Sequence, residues 1–229
     1  MTGTSLRLIS SMATRDLLAE LAARYELETG QPVAAEAAGG VDVAKRVSAG
    51  EVMDVVVLAS TAIDKLIAEG RITGSRIDLV RSGIAVAVQA GAARSSIASE
   101  ADVKLLVLAA PTLSYSTGPS GVYLEKLFER WEILQLIRPR IVVPPPGVPV
   151  GSLVADGTAA LGFQQLSELK NLEGITVLGP LPDCIQSMTV FSGGVCASSM
   201  NADAARGLLR YLALPEVAAL KQQHGMAAA

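Results

Sequence analysis

Hydroxyls, glycines and a proline crowd into one stretch, Tyr115-Ser-Thr-Gly-Pro-Ser-Gly-Val-Tyr123. An apolar run, Leu105 to Leu113, precedes it and an amphipathic run, Val122 to Trp131, follows, which predicts strand, tight polar loop and helix. Pro119 suits a first helical turn, where a missing N–H costs nothing. Ser116, Thr117 and Ser120 supply hydroxyls, and Gly118 and Gly121 let a ligand come close to the backbone. Free N–H groups and the positive end of a helix dipole would then meet at one spot, whose natural occupant is an anion. The plain alternative is a capped strand-to-helix turn with no ligand.

Three further strand-to-helix loops share this chemistry: Ser10-Ser11-Met12-Ala13-Thr14, Ala38-Gly39-Gly40-Val41 and Phe163-Gln164-Gln165. None carries a carboxylate, histidine or cysteine at its tip. Such a set is rich in donors and poor in acids and bases, which suits reversible capture of an anion better than chemistry. Arg15 falls in the first turn of its expected helix, where a cation opposes the dipole. It reads either as an anion partner or as a solvated arginine neutralised by Asp16. Lys45-Arg46 read as a solvated helix face.

These loops need elements to hold them. Leu6 to Ile9, Val33 to Ala37 and Asp54-Val-Val-Val-Leu58 read as strands, the last apolar throughout, as in a parallel sheet buried on both faces. Helices are expected from Ala13 to Tyr25 with Gly30 as the stop, over 41–49, and over 61–69 with Ser60 as its cap. The alternation of strand and helix argues an α/β lobe with right-handed crossovers. Beyond it, strands are expected at 84–88, 140–143, 159–163 and 176–178. A longer β-rich run at 187–197 is broken by Gly193-Gly194, and Pro144-Pro-Pro-Gly147 forms a rigid turn before a helix near 149–155. Two helices, 202–212 and 215–224, close the chain. Long strands near 84–88 and 187–196 lie between two sets of β-α units. A second lobe inserted into the first explains this: lobe one at 1–83 and 190–229, lobe two at 84–189. In such sheets ligands bind outside the carboxyl ends of strands.

Composition narrows the partners. The 229 residues are 50% hydrophobic and 18% charged, with a net charge of −3 and no basic cluster, which argues against nucleic acid. Aromatics are only 3%, so stacking platforms for bases are scarce. One histidine, His224, and two cysteines, Cys184 and Cys196, do not assemble a metal site at any usual spacing, so neither metal nor cofactor is expected. Both cysteines sit in apolar surroundings and read as buried free thiols rather than a disulfide. No run of about 18 apolar residues predicts a membrane span. The first residues lack a basic segment followed by an apolar one. The expected location is therefore periplasmic if a leader has been removed, and cytoplasmic if the sequence is complete.

The chain resembles the molybdate-type periplasmic solute-binding proteins of ABC transporters. The segments that carry the likeness are Ala44-Lys-Arg-Val-Ser-Ala-Gly50 with Asp54-Val-Val-Val-Leu58, Pro119-Ser-Gly-Val-Tyr123, Ala160-Leu-Gly-Phe-Gln-Gln165 and Leu178-Gly-Pro-Leu-Pro182. Their order and spacing cover nearly all of residues 6–226. The resemblance implies a two-lobe type II periplasmic-binding-protein fold of the α/β class. Each lobe would be a mixed sheet flanked by helices, with two crossing strands joining the lobes. It also implies capture of a small anion in the cleft between the lobes with hinge closure, and a permease partner if the protein is exported. Molybdate binders place serines where Ala13 and Gly40 align, and a tyrosine where Gln165 aligns. Ser120 and Val148 fall at the other two oxyanion positions, where backbone N–H groups would serve. With those hydroxyls missing, a small organic carboxylate is the expected ligand. The residues expected to touch it are Ser10, Ser11, Met12, Ala13, Thr14, Arg15, Gly39, Gly40, Ser60, Tyr115, Ser116, Ser120, Gly121, Val122, Val148, Gln164 and Gln165. The same subfamily resembles the aconitate isomerases, which implies the alternative of an isomerase acting on an unsaturated tricarboxylate. Tyr115 and Tyr123 are the only loop candidates for its base. A regulator's effector domain ranks last, for want of a helix-turn-helix.

Overall fold

The computed structural model describes residues 4–145 and 147–229. Expectations resting on residues 1–3 and on Pro146 lie outside them. The elements run β1 Leu6–Ser11, α1 Arg15–Thr29, β2 Val33–Ala38, α2 Gly40–Ser48, β3 Val55–Ala59, α3 Ser60–Ala68 and β4 Ile72–Gln89. Then come α4 Glu100–Ala109, β5 Leu113–Tyr115, α5 Pro119–Arg130, α6 Leu134–Ile137, α7 Val150–Ala155, β6 Leu161–Gln165 and α8 Leu166–Leu169. The chain ends with β7 Ile175–Pro180, β8 Met188–Cys196, α9 Ala202–Ala213, α10 Ala218–Gln223 and β9 Ala227–Ala228. It divides into two compact units, one running to Arg81 and resuming at Val190, the other spanning Ser82–Thr189.

In unit one, β1 pairs in parallel with β2 on one side, Ser11 opposite Ala38, and with β3 on the other, Ser10 opposite Val57. β8 adds antiparallel to β3, with Val55 opposite Val195. Because side chains alternate along a strand, the apolar run of β3 serves two cores. Val55 and Val57 pack with Leu17, Leu21 and Leu208 from α1 and α9. Val56 and Leu58 pack with Val43, Val47, Ile63 and Leu66 from α2 and α3. Each such side chain contributes about 1.5–3 kcal/mol on burial. The three parallel strands end on one side of the sheet, so the loops after Ser11, Ala38 and Ala59 become neighbours.

In unit two, the second half of β4 pairs antiparallel with β6 and β7, and β5 lies parallel to β6 with Tyr115 opposite Phe163. Val86, Val107, Leu124, Phe128 and Phe163 form its main core. The carboxyl ends of β5 and β6 therefore bring Ser116 and Gln164 alongside one another.

Several expectations on single elements are corrected. Most of the apolar run 105–113 is helix. Ser99 and Asp102 form a reciprocal capping box at the start of α4, and Val103 and Val107 are buried while Leu105 is 65% exposed. That leaves β5 only three residues long. β4 begins at Ile72 and runs for 18 residues, where a strand was expected only at 84–88, because its polar first half also finds partners, Val80 pairing with Ala228. Of the strand expected at 140–143, only Ile141 forms a bridge, to Leu113, and the prolines that follow lack donors to continue it. Gly193 and Gly194 do not break β8. A Cβ on Gly193 would come within 2.3 Å of Leu209, and one on Gly194 within 2.6 Å of Ile72. The glycines let those side chains reach the sheet. Ser60 is the first residue of α3 and caps nothing, Ala59 standing at the cap position. Cys184 is exposed, so only Cys196 is the buried free thiol expected of both.

Candidate functional site

The unit-one loops present bare backbone. α2 begins after Gly39 and α3 after Ala59, and neither start is capped by a side chain. First-turn N–H groups have no acceptor within their own helix, so these two starts carry donors in need of partners and a partial positive charge. Gly40 lies against Ser11: a Cβ built on it would sit 3.6 Å from the Ser11 Cβ. Three hydroxyls surround this point and differ in occupation. Thr14 donates to the Ser11 carbonyl at 3.1 Å and Ser10 to the same carbonyl at 3.3 Å. Both serve the backbone turn. The Ser11 hydroxyl is buried, at 8% exposure, and has no partner among the described residues. A buried hydroxyl without a partner is costly, which makes it a candidate ligand contact. Met12, Ala13 and Ser60 are half-buried. Arg15 is exposed and pairs with Asp16 at 2.7 Å.

The unit-two loops are wired more tightly. Pro119 occupies the first turn of α5, whose cap residue Gly118 offers no side chain. Gly121 and Val122 both donate to the Gly118 carbonyl, leaving the Ser120 N–H without an acceptor among the described residues. The Ser116 and Ser120 hydroxyls share one hydrogen bond of 2.8 Å, so one hydroxyl proton of the pair remains to donate. Gly121 is dictated by the backbone: a Cβ there would fall 1.7 Å from the Ser116 carbonyl oxygen. The two glutamines differ. Gln164 accepts from the Gly151 N–H at 3.1 Å and donates to Glu168 at 2.6 Å, so it fastens α7 and α8 to β6. Gln165 donates to the Thr189 hydroxyl at 2.9 Å, while its carbonyl oxygen is buried without a partner. Exchanging the amide's oxygen and nitrogen keeps the Thr189 bond, with the hydroxyl now donating, and turns the amide donor to the vacant side. The Val148 N–H donates to the Pro145 carbonyl.

A cavity of about 390 Å³ opens beside the Tyr115–Gly121 loop, within the size range of small-molecule pockets. Ser116, Thr117 and Gly121 line one part, Val122 and Glu125 the α5 wall, and Leu134, Arg138, Ile141 and Val143 the far side. Tyr115 donates to Glu125 at 3.2 Å. Burial, then the Glu125 charge, push the Tyr115 phenol well above its ordinary range. Tyr123 donates to the Ile185 carbonyl at 2.8 Å, and burial raises its phenol too. Neither tyrosine is a ready base. Glu125 and Arg138 escaped the loop-based reading because they lie outside the loops. The spacing of Glu125 from Gly121, four residues on one helix face, is the signal that could have found Glu125. Among the described residues, no group of three histidine, cysteine or carboxylate side chains is set to hold a metal ion. No helix among them is long and apolar enough to cross a membrane.

Known proteins fit this picture. The chain is 38% identical over 232 residues to an aconitate isomerase of a Pseudomonas species, covering 97% of this chain and 87% of that one. Among solved structures it is similar to the periplasmic molybdate-binding protein of Azotobacter vinelandii, with TM-score 0.82, 18% identity, and 98% and 99% of the two chains covered. A sulfate-binding protein of Mycobacterium tuberculosis matches with TM-score 0.76, 15% identity, and 98% and 86% coverage. At these identities the structural likeness establishes the fold, the type II periplasmic-binding-protein fold with mixed sheets flanked by helices, and nothing about ligand. The family model described as bacterial extracellular solute-binding protein matches residues 6–227, and the chain belongs to that family.

Proposed function

We propose that this protein captures a small organic anion bearing carboxylates, as the receptor of an ABC-type uptake system. The observation that carries this reading is the buried, unpartnered Ser11 hydroxyl beside the uncapped start of α2. The uncapped start of α5, with its free Ser120 N–H and the Ser116–Ser120 pair, adds donors of the same kind. Backbone N–H groups and hydroxyls bind carboxylate oxygens without chemistry. A tetrahedral oxyanion is disfavoured because Ala13 and Gly40 carry no hydroxyl and Gln165 carries no phenol. Titration calorimetry of the purified protein with trans-aconitate, citrate, molybdate and sulfate tests this. Micromolar binding of a carboxylate and none of the oxyanions is expected; the reverse pattern would overturn it.

A second reading, isomerisation of an unsaturated tricarboxylate, is favoured by the likeness to aconitate isomerase over almost the whole chain. Such a reaction removes a proton from the methylene carbon next to the double bond and returns one at the other end of the allylic system. Among the described residues that line the cavity Glu125 is the one carboxylate, and its oxygen is suited to take and return that proton. Proton NMR of cis-aconitate incubated with the protein decides it. Interconversion that Glu125→Gln abolishes would support an isomerase, and an unchanged spectrum would leave capture alone.

A further inference from the structure

We propose that the unit-two cavity holds a second carboxylate of the ligand, with Arg138 as its cation, so that Arg138 selects polycarboxylates over monocarboxylates. This rests on the carboxylate reading above and goes further by naming the residue that sets ligand class. The cavity has two places for negative charge. One is the start of α5, where Ser116, Thr117 and Gly121 line it and the Ser116–Ser120 pair keeps one hydroxyl proton to donate. The other is Arg138, brought to the far wall by the short turn after α6.

Arg138 makes no salt bridge among the described residues. Its neighbour Arg140 is different: that guanidinium donates to the carbonyls of Leu108 and Ala110 at 3.0 and 2.6 Å and so braces the chain. Arg138 has no such bracing bond among the described residues, yet its charge is felt at the Tyr115 hydroxyl, where it opposes the upward push on the phenol. A guanidinium presents two parallel donors that match a carboxylate edge, a geometry one ammonium cannot reproduce. Val122, Leu134, Ile141 and Val143 give the cavity an apolar wall. It suits the carbon skeleton of a short dicarboxylic or tricarboxylic acid. Glu125 shares the cavity, so a ligand carboxylate placed beside it without Arg138 would meet an uncompensated like charge. The cation thus admits a second carboxylate where Glu125 alone would exclude it.

The test compares wild type, Arg138→Gln and Arg138→Lys by calorimetry, with trans-aconitate as the polycarboxylate probe and crotonate as the monocarboxylate. Melting temperatures should agree within error, because Arg138 is exposed and braces nothing. The expected result is a ten- to hundredfold loss of trans-aconitate affinity in Arg138→Gln, partial recovery in Arg138→Lys, and unchanged behaviour with crotonate. Equal trans-aconitate affinity in wild type and Arg138→Gln would overturn the assignment. So would equal proportional loss for both acids, which would mark a general field effect. Wild-type protein that binds neither acid would instead remove the carboxylate reading itself, and this assignment with it.

Discussion

The loops of unit one and the loops of unit two start from the same materials, small residues at the carboxyl ends of parallel strands, and end differently. In unit one the side chains are small, and the loops offer uncapped backbone, the starts of α2 and α3, with the Ser11 hydroxyl unpartnered among the described residues. In unit two the loop side chains are bonded to one another, although the Ser82, Ser114 and Ser167 hydroxyls and the Gln165 carbonyl oxygen are buried without partners among the described residues. Ser116 holds Ser120, Tyr115 holds Glu125, Gln164 holds Gly151 and Glu168, and Gln165 holds Thr189. The first arrangement offers negative charge a generic welcome. The second fixes directions and puts an acid and a base, Glu125 and Arg138, in the lining of one cavity. On the readings proposed above, selectivity and any proton transfer fall to unit two.

Glycine substitution should separate the two regions most sharply. Gly121→Ala puts a methyl 1.7 Å from a backbone oxygen that cannot rotate away, so the α5 loop must reshape. A loss of about 1–3 kcal/mol in stability is expected, together with loss of anion binding. Gly40→Ala meets only ordinary contacts, the nearest at 3.6 Å, and should change stability by less than about 1 kcal/mol. Urea denaturation of both variants checks this; equal midpoints would show that the unit-two loop is not held as rigidly as its contacts indicate.

Serine substitution gives the next effect. Ser11→Ala removes a buried hydroxyl with no partner, so stability should hold or rise by up to about 1 kcal/mol. If Ser11 contacts the anion, affinity should still fall about ten- to a hundredfold, since a hydrogen bond to a charged partner contributes about 1.5–3 kcal/mol. Ser120→Ala also breaks the Ser116 bond, so the same loss of affinity should come with a stability cost of about 1 kcal/mol. A Ser11→Ala variant that is less stable than wild type yet binds normally would reverse the roles assigned to the two regions.

The smallest effect concerns the cysteines, one in each unit. Burial raises the Cys196 thiol to about 12, and the Asp54 charge adds to the push, while Cys184 is exposed. An alkylating reagent at pH 8 should modify one thiol in the native protein and two in denaturant. The sign of the pH dependence follows. An unfolded cysteine ionises near pH 8.5, whereas the folded Cys196 keeps its proton to about 12, so above about pH 8.5 the unfolded state binds fewer protons. Stability should fall as pH rises through that window, and Cys196→Ala should flatten the slope. A slope unaltered by the substitution would mean that Cys196 is not the group responsible.

The amino-acid order by itself determined the alternation of strands and helices in unit one, the doubly buried strand beginning at Val55, and the donor-rich character of the loops. Those features depend on local periodicity and on glycine, proline and serine at element ends, which neighbouring residues specify. Tertiary structure decided matters that local pattern leaves open. Residues 105–109 became helix because the capping box at Ser99 and the packing of Val103 and Val107 outweighed a short apolar run. Gly193 and Gly194 became parts of a continuous strand because Leu209 and Ile72 need the space. Gln164 and Gln165, identical and adjacent, took different tasks because successive residues of a strand point to opposite faces. One therefore met Gly151 and Glu168 and the other Thr189. Glu125 and Arg138, 13 positions apart in the sequence, came to line one cavity only because α5 and the turn after α6 fold back on each other. A side chain's task is set by the partners that the fold brings within about 3 Å, and some of them, such as Thr189 for Gln165, are distant in sequence.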